Sequence, residues 1–121
     1  MWKIEYIDEF EEYWNTLTDD EQASVDASIQ LLEEIGPNLG RPHVDTVNKY
    51  SRHSNMKELR VQCDGEPIRV LFAFDPRRTG ILLVGGNKAG NKRWYRENIP
   101  LADDLYDKYL EELRKENLIN G

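Results

Sequence analysis

The sequence predicts an α+β domain, a small and mostly antiparallel four-stranded sheet in the order β-α-α-β-β-β-α with its helices on one face. Three observations predict it. Residues 10–35 carry apolar side chains at helical spacing, residues 56–86 hold three apolar runs separated by turn formers, and residues 99–117 return to helical spacing. At 121 residues the chain falls within the size of one domain, so residues 1–121 are expected to form a single unit with a sizeable core.

Residues 2–7 alternate, with Trp2, Ile4 and Tyr6 on one side and Lys3 and Glu5 on the other, the period of a half-buried strand. Phe10, Tyr13, Trp14 and Leu17 follow helical spacing. Thr18, three residues before Glu21, reads as a capping box that opens a second helix whose apolar face holds Val25, Ile29 and Leu32. Gly36-Pro37 stops that helix. Residues 38–54 combine turn formers with no stable period and are expected to be a surface loop.

Residues 56–63 place Leu59, Val61 and Cys63 on one face and Glu58, Arg60 and Gln62 on the other, and Asp64-Gly65 signals a hairpin. Its partner strand, 68–74, turns Ile68, Val70, Phe72 and Phe74 one way and Arg69, Leu71 and Ala73 the other. Residues 75–80, DPRRTG, form a turn, and the apolar run Ile81-Leu82-Leu83-Val84 makes a central third strand. The final helix carries Ile99, Leu101, Leu105, Tyr109 and Leu113 at suitable spacings.

Composition excludes several classes. Cys63 is the only cysteine, so neither an intrachain disulfide nor a thiolate metal cluster can form from one chain, which fits a reducing cytoplasm. No metal or cofactor is expected. The longest apolar run is far short of the ~20 residues a membrane helix needs, and the acidic, alternating start MWKIEYIDEFEE is unlike a secretory signal.

A net charge of −7 would argue against a phosphate-bearing partner. Divided along the chain, it argues the reverse. Residues 1–36 hold one cation and eleven acids, residues 37–98 twelve cations and six acids, and residues 99–121 three cations and six acids, giving −10, +6 and −3. A basic middle is flanked by acidic ends.

Within that middle, Arg60 and Arg69 flank the hairpin turn at similar distances and share a face, so they can oppose each other across two strands. Like charges there are destabilising unless an anion is shared, and guanidinium forks match phosphate oxygens. The competing reading is a pair of solvated arginines, or one arginine paired to Glu58. The segment 85–96, GGNKAGNKRWYR, joins four cations to two aromatics, a combination suited to phosphates and unpaired bases. Trp94, by its size, fits packing against the last helix; Tyr95, with its hydroxyl, is the better functional candidate. His43 and His53 read as loop histidines, with His53 close enough in sequence to the arginine strand to reach it. Ser51 and Ser54 show no nucleophile elbow.

The stretches Met56-Lys57-Glu58-Leu59-Arg60, Ile68-Arg69-Val70-Leu71-Phe72-Ala73-Phe74 and Ile81-Leu82-Leu83-Val84-Gly85-Gly86-Asn87-Lys88, with Arg93-Trp94-Tyr95 and Asn98-Ile99-Pro100-Leu101-Ala102-Asp103 after them, resemble the RelE/ParE toxin superfamily. The similarity is to its HigB-like, phage-derived branch and covers nearly the whole chain. It implies a RelE-like fold and the toxin of a type II toxin-antitoxin system. It also implies a ribosome-dependent mRNA endonuclease that works without metal, by attack of a ribose 2′-hydroxyl on the adjacent phosphate.

By that resemblance the catalytic set is Arg60, Arg69, Tyr95 and Lys88, and Lys57, Lys92, Arg93 and Trp94 bind RNA. The implied partners are a cognate antitoxin of helix-turn-helix, HigA/Xre-like type, the ribosome and mRNA, with no membrane. The acid–base group stays unassigned, because no histidine follows His53. Two other functions stay open: a ParE-like toxin that binds gyrase, and a degenerate domain that only binds its antitoxin and regulates the operon.

Overall fold

The alternation of residues 57–87 becomes three long antiparallel strands, and both of their faces are covered. In the computed structural model, which describes residues 1–120, the elements are β1 (Ile4–Tyr6), α1 (Asp8–Trp14), α2 (Asp19–Ile35), β2 (Val44–Thr46), β3 (Lys57–Cys63), β4 (Glu66–Phe74), β5 (Gly80–Asn87) and α3 (Trp94–Lys115). The strands lie in the order β1-β5-β4-β3-β2, with β1 parallel to β5 and every other pair antiparallel. The fold class is the expected α+β.

Local signals act as the sequence predicts. Thr18 accepts from the Glu21 amide at 3.2 Å, and Glu21 accepts from the Thr18 amide at 2.9 Å, closing the capping box of α2. Gly36, at φ +72°, ends that helix in a conformation open chiefly to glycine. Asp64 and Gly65, both at positive φ, make the tight turn between β3 and β4.

Three expectations are corrected. The sheet has five strands, because Val44–Thr46 pairs with the β3 edge through Val44–Leu59, Asp45–Glu58 and Thr46–Lys57. Three residues are too few to show a period, so only the partner strand reveals this one. The last helix starts at Trp94, not near residue 99. Pro100 lies inside it, and the Asn98 side chain donates to the Trp94 carbonyl at 2.8 Å, which helps to hold the first turn in the helix.

The helices also do not share one face. Phe10, Val25, Leu32, Leu59, Val61, Val70 and Phe72 form a core under α1 and α2, whereas Leu71, Ala73, Ile81, Leu83, Ile99, Tyr106 and Leu110 form a second core under α3. Leu71 and Ala73 are fully buried on the side away from α1 and α2, so that side had to be covered too. Burying a leucine-sized side chain is worth about 1.5–3 kcal/mol. Among the described residues no helix is long and apolar enough to cross a membrane.

One irregularity positions the site. Leu71 pairs with Val84 but Phe72 with Leu82, so β5 carries an extra residue there. The bulge changes the alternation of β5, and Gly86 comes to lie opposite Arg69 on the α3 side. A β-carbon on Gly86 would sit 2.6 Å from the Trp94 indole nitrogen, so the missing side chain is what seats the start of α3. Gly86→Ala is expected to lower stability by about 1–3 kcal/mol through overpacking. Thermal unfolding measures it, and an unchanged Tm would contradict this seating of Trp94.

Candidate active site

Arg60 of β3 and Arg69 of β4 are direct cross-strand partners on the sheet face that α3 covers. Their β-carbons are then within about 5.5 Å, where like charges repel. Acidic groups compensate Arg60. Its Nε donates to Glu58 Oε1 at 2.9 Å, and its Nη2 donates to Asp45 Oδ2 at 3.2 Å. Glu58 chiefly holds the Arg60 guanidinium above its ordinary pKa. Asp45 also accepts from Arg41, which more than any other group keeps the Asp45 carboxyl below the usual carboxylate range.

Arg69 has no such partner. Its Nη1 donates to the Ile68 carbonyl at 3.0 Å, while its Nε is buried without a hydrogen-bond partner. Glu58, only 5% exposed, uses Oε1 for Arg60 and leaves Oε2 buried and unpartnered. Among the described residues these are the two buried side-chain polar atoms that lack a partner. An unsatisfied buried polar group costs about 1–3 kcal/mol, and the Tyr95 hydroxyl is the nearby group that acts on both Glu58 and Arg69.

Tyr95, in the first turn of α3, completes the group. Its ring meets the Trp94 edge at 5.4 Å and lies 5.5 Å below Lys88 Nζ. Burial, and next the nearby Glu58 carboxylate, raise its hydroxyl pKa, while Arg69 pulls the other way. The hydroxyl therefore keeps its proton at neutral pH.

Arg60, Arg69 and Tyr95 thus lie near one carboxylate, Glu58, whose expected role was at most that of a partner for one arginine, and Lys88 reaches this group through the Tyr95 ring. Lys92 and Arg93 are exposed in the turn that leads into α3. Trp94 and Lys57 stand apart from this group. Trp94 is 5% exposed and packed over Gly86, so its ring is not free to stack on a base. Lys57, an odd number of residues from Arg60, points to the α2 side of the sheet, where its Nζ donates to the Pro37 carbonyl at 3.2 Å. Alternation alone carried that signal.

His53 does not join the arginines either; it stands edge-on to Tyr106 at 4.9 Å and meets Asp107 Oδ1 at 2.7 Å. That contact belongs to an anchor that sequence reasoning missed. Asp103 of α3, fully buried, accepts from the Ser51 hydroxyl and the Arg52 amide, both at 2.6 Å, and Arg52 reaches Asp104 and Asp107. The loop before β3 is thereby tied to α3, and residues 46–50 line a cavity together with Glu58, Arg60 and Tyr95. No local motif announces a bond between residues 51 and 103. Asp103→Ala would strand two donors and is expected to cost about 2–3 kcal/mol, measured by urea unfolding. A loss under about half a kilocalorie would refute the anchor.

Among the described residues no group of three or more His, Cys, Asp or Glu side chains is gathered as a metal ligand set. What the arrangement can do is bind an anion between two guanidinium groups with a proton acceptor, Glu58, and a proton donor, Tyr95, beside it.

A five-stranded sheet with three helices is an α+β architecture consistent with a RelE-like fold. The family described as "Phage derived protein Gp49-like (DUF891)" matches residues 12–107. A protein named "Putative toxin HigB3" in Mycobacterium tuberculosis is 53% identical over 105 residues, which cover 86% of this chain and 90% of that one. "Putative toxin HigB2" of the same organism is 54% identical over 86 residues, 69% of this chain and 42% of that longer protein. No solved structure matches. The chain belongs to the Gp49-like family of phage-derived proteins and is HigB-like over most of its length.

Proposed function

We propose that the protein is the toxin of a type II toxin-antitoxin pair and an endoribonuclease that cleaves mRNA on the translating ribosome. The observation that carries this reading is the opposed Arg60–Arg69 pair flanked by the unpartnered Glu58 Oε2. Two cations facing each other beside a free buried acceptor suit a phosphodiester with a neighbouring hydroxyl.

In the proposed reaction Arg60 and Arg69 hold the non-bridging phosphate oxygens, where charge builds in the transition state. Glu58 Oε2 accepts the 2′-hydroxyl proton as that oxygen attacks phosphorus. The bond to the 5′-oxygen breaks, and this oxygen takes the Tyr95 hydroxyl proton, leaving a 2′,3′-cyclic phosphate and a 5′-hydroxyl. Solvent then returns the proton from Glu58 to Tyr95. Lys88, above the Tyr95 ring, adds positive charge for the phosphate backbone, as do Lys92 and Arg93. The apolar faces of α1 and α2 pack on the opposite face of the sheet from α3.

The test is expression of the chain in a bacterium and in a translating extract. Growth arrest with new mRNA 5′ ends that require translation is the expected result. DNA damage that depends on gyrase, with intact mRNA, would overturn the reading in favour of a ParE-like toxin. By the same reading a small helix-turn-helix antitoxin from the adjacent open reading frame relieves the arrest, and co-expression checks it.

A further inference from the structure

We infer that the loop tied to α3 forms a subsite for one unpaired nucleobase, with Tyr50 as its stacking platform. The inference rests on the RNA reading above and adds a place for a base beside the phosphate.

A cavity of about 280 Å³ opens between this loop, β3 and the first turns of α3. Small-molecule clefts begin at about 300 Å³, so this one suits a single flat ring system. Val47, Tyr50, Tyr95 and Ile99 give it apolar and aromatic walls, and Asn48 and Lys49 stand at its rim. Glu58 and Arg60 line it as well as the phosphate site. A nucleotide whose phosphate lies between Arg60 and Arg69 therefore has its base delivered to this cavity.

Tyr50 is held there at a cost. It is a non-glycine residue at φ +69°, a conformation that costs on the order of 1–3 kcal/mol and persists only where its surroundings impose it. The surroundings are the next two residues, Ser51 and Arg52, both bound to the buried Asp103. Tyr50 so presented is 47% exposed, and the Arg96 guanidinium lies 5.9 Å from its ring centroid. A large apolar ring left in water on a strained and anchored backbone is poor for folding and good for stacking. Bases stack on aromatic side chains with little regard to sequence, while the Asn48 amide can bond a base edge.

The test is an NMR titration of the folded protein with AMP and, separately, with ribose 5-phosphate, which has the phosphate and sugar but no base. AMP is expected to bind at least about fivefold tighter and to shift the Val47, Tyr50 and Tyr95 signals. Tyr50→Ala and Tyr50→Leu should bring AMP down to the affinity of ribose 5-phosphate, and Tyr50→Phe should keep the difference. Arg69→Ala should weaken both ligands. Equal affinity of the two ligands for the native protein, no binding of either, or an AMP preference that survives in Tyr50→Leu would overturn the subsite. The nuclease reading is scored separately by mRNA cleavage in extracts. Loss of cleavage with an intact AMP preference would sink that reading and leave the base site standing.

Discussion

Arg69→Ala is expected to abolish growth arrest and to lower mRNA cleavage by about 100-fold or more, the cost usual for removing one preorganised donor from a developing oxyanion. The fold should survive. The Arg69 side chain donates to the Ile68 carbonyl, its own neighbour along the strand, and its removal relieves repulsion from Arg60 directly opposite. Stability should therefore hold or rise by up to about 1 kcal/mol. Arg60→Ala differs, because it strips Glu58 of its charge partner at a buried position. It should lose activity and also about 1–3 kcal/mol of stability, less than for a wholly buried pair because Arg60 is 35% exposed. Cleavage assays with denaturant unfolding separate the two variants. Full activity in Arg69→Ala would remove the phosphate clamp from the mechanism.

Glu58→Gln should reduce cleavage by about 10²–10⁴-fold, the usual range for losing a general base, without weakening RNA binding. The amide keeps the shape and an oxygen for Arg60, which also retains Asp45 at 3.2 Å. It also removes a negative charge beside Arg60 and Arg69, so affinity for a phosphate ligand should stay level or increase. A purely structural Glu58 would instead lose binding and turnover together. Single-turnover cleavage alongside binding of an uncleavable 2′-deoxy oligonucleotide distinguishes the two, and unchanged turnover would reject Glu58 as the base.

Features set by neighbours along the chain are legible in the residues themselves. The Thr18–Glu21 capping box, the Gly36 stop, the Asp64-Gly65 hairpin and the three-strand meander depend on local chemistry and short-range periodicity. The placement of Arg60 opposite Arg69 follows from those, since a two-residue turn defines the register of the strands it joins. Even the position of Lys57 on the other face is contained in the alternation, although the family resemblance groups it with the arginines.

Other features need partners far away in sequence. β2 exists because the β3 edge pairs with it. The bulge opposite Leu71 and Phe72 leaves no mark in an apolar run that reads the same with or without it. The role of Asp103 depends on Ser51 and Arg52 coming to meet it.

The sequence by itself determined the class of fold, the acidic ends and basic middle, and the two arginines on one face, because each arises from residues adjacent along the chain or one tight turn apart. The tertiary structure alone decided that both faces of the sheet are covered, that Glu58 is buried with an oxygen to spare, and that Trp94 packs inward while Tyr95 faces the site. Those outcomes depend on which surfaces meet when α3 folds back over β4 and β5. Burial and desolvation are properties of that meeting, and no window of the sequence contains it.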